Sequence, residues 1–152
     1  IQEIRERGVD LNLVIVGNPE NFEYENELNS KIKNAGNHIS WFKGLSREDM
    51  EELISTCKWG LHCNKFEHYG LSAIELQRLG LITFVPDFCG KSEIMTNPLL
   101  KYNSLNDLIT KFITIYYNKD NMLQSANDSR VELISEHTVD RHDQRIVDIF
   151  KG

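Results

Sequence analysis

Four short apolar runs set the terms on which this chain can fold: Leu11–Val16, His38–Phe42, Trp59–Cys63 and Leu81–Val85. Each is too short for a stable helix, and glycine, proline or a polar loop follows it: Gly17-Asn18-Pro19, Lys43-Gly44, Asn64 to Tyr69 and Pro86. Short apolar runs bounded in this way read as buried parallel strands. Helical segments separate them. Strands alternating with helices imply a parallel sheet with helices on both faces, a doubly wound, Rossmann-like α/β lobe.

The helices are read from three- and four-residue apolar spacing and from their ends. Ile1 to Arg7 reads as the last turns of a helix stopped by Gly8. Phe22 to Ala35 carries Tyr24, Leu28, Ile32 and Ala35 on one stripe and ends at Gly36. Ser46-Arg47-Glu48-Asp49 resembles a capping box, leading into a stripe of Met50, Leu53, Ile54 and Cys57. Leu71 to Leu79 presents Leu71, Ile74 and Leu79, and Gly80 stops it. Cys89 to Met95 reads as a loop with one helical turn, and Leu99 to Tyr102 as a short last strand. Ser104 caps a helix through Tyr117. Met122 to Ser135 and Val139 to Phe150 read as two more helices.

At 152 residues, 40% hydrophobic and 26% charged, the chain fits one domain or one lobe of a larger enzyme. A net charge of −6 argues against a nucleic-acid backbone as the main partner. Cys57, Cys63 and Cys89 form neither a C-x-x-C pair nor a dense framework, so they read as buried thiols in a reducing compartment. No metal pattern stands out. No apolar segment approaches membrane-spanning length, and a cytoplasmic location is expected, with peripheral association at the cytoplasmic face of a membrane as a variant.

The stretch with chemistry in it is Glu67-His68-Tyr69-Gly70-Leu71-Ser72-Ala73-Ile74-Glu75. Two glutamates bracket a Gly-Leu-Ser where a helix should begin. Helix-start N–H groups carry partial positive charge and suit an anion such as a diphosphate. Gly70 lets the backbone approach it. Glu75, one turn in, comes within reach of a sugar hydroxyl beside the phosphates. Four loop-like segments follow strands and fall on the carboxyl edge of the sheet, where open α/β sheets bind ligands. These are Gly17-Asn18, Lys43 to Leu45, Lys65 to Glu67 and Asp87 to Ser92.

Glu67-x-Tyr69-Gly70-Leu71 followed by Glu75 resembles the E-x-F-G-hydrophobic…E signature of retaining GT-B glycosyltransferases of family 4. Its Glu-His-Tyr-Gly variant is similar to the Glu-His-Phe-Gly of Alg11-type mannosyltransferases. The flanks agree from about residue 11 to 118: a Leu-Val-Ile-Val-Gly strand and turn, Phe42-Lys43-Gly44, Ser55-Thr56-Cys57, and Gly90-Lys91-Ser92-Glu93.

The resemblance implies a C-terminal donor-binding lobe of a GT-B fold, residues 1–152, truncated at its first strand. An acceptor lobe would be supplied by sequence not present here. Glu67 would lie against the donor sugar, as nucleophile or as a positioning charge. Gly70, Leu71 and Ser72 would present N–H groups to the diphosphate, with His68 and Tyr69 beside them. Glu75 would accept from the ribose hydroxyls. Gly17 and the turn of Phe42, Lys43, Gly44 and Leu45 would border the base. The donor would be a UDP- or GDP-sugar, the acceptor a sugar, glycan or lipid-linked glycan, and no metal or cofactor is implied. Alone, the fragment should bind nucleotide weakly and transfer nothing.

The sequence departs from the family pattern in three places. The upstream arginine and lysine that grip the diphosphate would precede Ile1; Lys43, Lys65 or Lys91 could supply charge instead. Cys89-Gly90 replaces a Gly-Gly pair, and Gln77-Arg78-Leu79 replaces small residues. The missing cations and the lost second glycine favour the alternative, a non-catalytic Rossmann-like binding or scaffolding module, which the intact glutamate pair with Gly70 between disfavours. An NAD-dependent enzyme is poorly supported, because no G-x-G-x-x-G follows Leu11–Val16.

Overall fold

The computed structural model describes residues 1–63, 71–88, 95–118, 124–128 and 131. The chain divides into two compact units, Ile1–Ile54 and the residues from Ser55 onward. Among the described residues all strand pairings are parallel, and α-helices form two of the three crossovers, in line with the alternating pattern.

The first unit opens with α1 (Gln2–Glu6), ended by Gly8. Strand β1 (Leu13–Val16) then pairs in parallel with β2 (Ile39–Phe42), Leu13 opposite Ile39 and Val16 opposite Phe42. The strand starts two residues later than its apolar run. The Arg5 guanidinium takes the Leu11 carbonyl at 2.7 Å and pairs with Asp10, so this stretch is bonded to α1 instead of the ladder. The crossover helix α2 (Phe22–Ala35) has the expected bounds. Asn21 caps it by accepting the Tyr24 N–H at 2.8 Å, and Gly36 ends it. β1 is half-buried throughout and no α2 side chain is fully buried; Tyr24, expected on the inner stripe, is exposed. A unit of this size buries a smaller share of its surface than a larger domain does. Helix α3 (Arg47–Ser55) follows, with the Ser46 hydroxyl oxygen accepting the Asp49 N–H at 3.1 Å.

The second unit holds a three-stranded sheet in the order β3 (Trp59–Leu61), β4 (Ile82–Pro86), β5 (Lys101–Tyr102). β4 lies between its neighbours and is buried along its whole length, as a central parallel strand should be. Helix α4 (Leu71–Arg78) connects β3 to β4. A 3₁₀ turn at Pro98–Leu100 precedes β5, where a strand was expected from Leu99. The Asn97 side chain accepts the Leu99 N–H at 2.9 Å, and Pro98 has its φ preset for such a turn. Helix α5 (Leu105–Tyr117) begins at a Ser104 cap and buries Leu108, Ile109, Phe112 and Ile115. Residues 124–128 are helical within the span expected for a later helix, and the rest of 122–150 lies outside the described residues.

The core of this unit is aromatic. Trp59 meets Phe112 edge-on with ring centres 5.1 Å apart, and Phe84 lies 6.0–6.3 Å from both. Phe84 and Phe112, both buried, each contribute about 2 kcal/mol by area alone. β3 and β4 come very close at Gly60: a Cβ there would stand 2.6 Å from the Thr83 hydroxyl. Leu71, read as a core position, is exposed, because α4 turns Ala73, Ile74 and Gln77 inward instead. Cys57 is half-buried and Cys63 exposed, so neither is the fully buried thiol expected; Cys89 lies outside the described residues.

Candidate functional site

In the first unit the ends of β1 and β2 lie side by side, which brings Gly17, Phe42, Lys43, Gly44 and Leu45 into one neighbourhood. The Gly17 N–H donates to the Phe42 carbonyl at 3.1 Å. The Trp41 indole donates to the Gly17 carbonyl at 2.9 Å. The Gly44 N–H donates to the Asn18 side-chain oxygen at 2.8 Å, tying one strand-end turn to the other. Gly44 has φ +65, a left-handed backbone that a side chain would strain. The Lys43 ammonium bonds to the Glu25 carboxylate and lies 4.6 Å over the Trp41 ring. The lysine therefore has a carboxylate partner within its own unit. Phe42 is exposed and Leu45 half-buried.

In the second unit β3 continues its bonding one residue past its end, with the His62 N–H donating to the Phe84 carbonyl at 3.0 Å. His62 itself is buried, in keeping with a core-edge residue. Glu67, His68, Tyr69 and Gly70 lie outside the described residues, as do Lys65 and Lys91. At the start of α4, Leu71, Ser72 and Glu75 share the side opposite the buried Ala73, Ile74 and Gln77. Glu75 is exposed one turn from the helix start. This arrangement suits an anion at the positive end of the helix dipole, with a carboxylate beside it to accept hydroxyl hydrogen bonds.

Tyr102 was not among the residues singled out in the sequence. Its hydroxyl donates to the His62 carbonyl at 2.8 Å, and its carbonyl accepts the Asp87 N–H at 2.8 Å. Burial, then the Cys63 thiol beside it, pushes the phenol up to about 12, so it remains a donor at neutral pH. Asn18 and Glu25 were likewise passed over as partners. Asn18 carried a signal, an asparagine in a turn after a strand; Glu25 and Tyr102 carried none that spacing could reveal. Among the described residues no three His, Cys, Asp or Glu side chains gather as a metal-binding group.

The sequence matches the family described as glycosyl transferases group 1 across residues 1–126. The chain belongs to that family. This glycosyltransferase domain is 27% identical to the GDP-Man:Man(3)GlcNAc(2)-PP-Dol alpha-1,2-mannosyltransferase of Dictyostelium discoideum, over 59% of the chain and 19% of that relative. Its fold is similar to that of HepE from Anabaena, solved in complex with UDP, with a TM-score of 0.76 at 17% identity; the match covers 93% of the chain and 41% of HepE. The domain thus spans about a fifth of the curated relative and two-fifths of the structural one. Family and fold together make it a GT-B glycosyltransferase domain, as the sequence resemblance implied.

Proposed function

We propose that this domain is the donor-binding lobe of a retaining, family 4 glycosyltransferase and holds a nucleotide diphosphate sugar for transfer to a glycan or lipid-linked acceptor. The observation that carries the reading is the family match, which runs through the helix that opens at Leu71 after β3. A UDP- or GDP-sugar donor is supported by the GDP-Man in the name of the curated relative and by the UDP held by HepE. The acceptor lobe comes from sequence beyond these residues, and the protein works in the cytoplasm or at the cytoplasmic face of a membrane.

In this reading Glu67 lies at the donor sugar and His68, Tyr69, Gly70, Leu71 and Ser72 line the diphosphate. Glu75 accepts from the ribose hydroxyls. Gly17, Phe42, Lys43, Gly44 and Leu45 border the base. Breaking the sugar–phosphate bond builds negative charge on the leaving diphosphate and positive character on the sugar ring. Fixed N–H donors at a helix start stabilise the first without reorganising during the reaction. A carboxylate near the sugar face is compatible with the second. The chemistry needs no bound metal in this scheme.

The test is an NMR titration of the chain with UDP, GDP, ADP and NAD, with Glu75→Ala alongside. UDP or GDP should bind selectively. Loss of a hydrogen bond to a charged group costs about 1.5–3 kcal/mol, so Glu75→Ala should weaken that binding roughly 10- to 100-fold. Equal affinity in the variant would sink the ribose assignment. Binding of NAD in place of UDP and GDP would sink the donor-lobe reading.

A further inference from the structure

Tyr102 sits where two strand exits meet a third. It is the last residue of β5 and stands in register with Pro86, the last residue of β4. Proline offers no N–H to continue the ladder. The next donor along β4 is the Asp87 N–H, and the Tyr102 carbonyl accepts it at 2.8 Å. From the same residue the side chain crosses to β3, where its hydroxyl donates to the His62 carbonyl at 2.8 Å. The His62 N–H is held in turn by the Phe84 carbonyl of β4. One residue thus anchors the departure points of both chain segments that leave the carboxyl edge of β3 and β4.

We infer that Tyr102 is a positioning residue for nucleoside diphosphate binding: touching no ligand itself, it fixes the exits of β3 and β4 through its hydroxyl bond to His62 and its carbonyl bond to Asp87. The inference rests on the donor-lobe reading, because ligands of open parallel sheets sit against these strand exits. Removing the hydroxyl leaves the ring and the Asp87 bond in place and frees only the β3 exit. The His62 carbonyl, one residue past β3, then loses the Tyr102 donor, and the backbone at His62 and Cys63 is held less tightly to β5. The hydroxyl remains protonated throughout the neutral range, so its effect is independent of pH there.

The experiment compares wild type, Tyr102→Phe and Glu75→Ala by NMR titration with UDP and GDP, well below the unfolding midpoint of each. Tyr102→Phe should keep a cooperative unfolding curve and lose affinity about three- to tenfold, the equilibrium equivalent of one hydrogen bond. Before any ligand is added, amide resonances should shift at Cys63 and at the start of α4, with those near Ile115 unmoved. A purely structural hydroxyl would lower the unfolding midpoint and leave affinity at saturating folded population unchanged, and that result overturns the inference. If Glu75→Ala weakens binding and Tyr102→Phe does not, the donor-lobe reading stands and the positioning role falls. If wild type binds neither UDP nor GDP, both fall.

Discussion

Replacing Gly60 with alanine tests the close approach of β3 and β4. The added Cβ would stand 2.6 Å from the Thr83 hydroxyl and 3.2 Å from its Cβ and Cγ2. Thr83 has no room to retreat: it is wholly buried in the central strand and its β-branched side chain is stiff. Overpacking of this kind costs about 1–3 kcal/mol. Alanine also narrows the unfolded ensemble, which returns about 0.4–1 kcal/mol. The net expectation is a loss of about 1–2 kcal/mol, or a fall of about 2–8 °C in Tm for a chain of this length. Thermal and urea unfolding measure it. Thr83→Ala removes the hydroxyl and Cγ2, the first and third of the three clashing atoms, so the loss should shrink by at least about 0.5 kcal/mol in that background. A Gly60→Ala variant within about 0.5 kcal/mol of wild type, the usual range for an uninvolved site, would refute the reasoning. So would an equal loss with and without Thr83.

The start of α5 offers two more expectations. Ser104 accepts the Asp107 N–H at 3.1 Å and the Asp107 carboxylate accepts the Asn103 N–H at 3.0 Å, so Ser104→Ala should cost about 1 kcal/mol in urea unfolding. The Asn103 N–H, and then Lys111, hold the Asp107 carboxyl below the ordinary carboxylate range. A lowered folded pKa means the stabilisation is complete above the unfolded value and is lost as pH falls through the folded one. Asp107→Asn should therefore flatten the acid limb of the stability curve below about pH 4 and leave its slope near pH 7 unchanged; an unaltered acid limb would count against the assignment.

The strands and helices were legible because local signals agreed. Ser104 stands immediately before an apolar periodic segment, Gly36 and Gly80 immediately after two others, and the structure uses all three at helix ends. Legibility stopped where partners come from distant sequence. Nothing near Leu11 announces that Arg5 will take its carbonyl, and nothing near Tyr102 announces His62, forty residues away. The spacing of Leu71, Ile74 and Leu79 suggested a stripe, of which Ile74 is buried and Leu71 exposed, because the packed face of α4 runs through Ala73, Ile74 and Gln77. Of the candidate site, the order of motifs was readable through family resemblance. The engagement of Lys43 with Glu25 was not, because an ion pair across eighteen residues leaves no local pattern.

The chain's two tryptophans fall one to each unit. Trp59 packs against Phe84 and Phe112 with the Lys58 ammonium 5.4 Å from its ring centre, while Trp41 has the Lys43 ammonium over its ring and an indole bond to Gly17. Each ring therefore reports the packing of its own unit. Replacing either one leaves a single built-in fluorophore, through which melting of the β1–β2 unit and of the β3–β4–β5 unit can be followed separately without any attached dye.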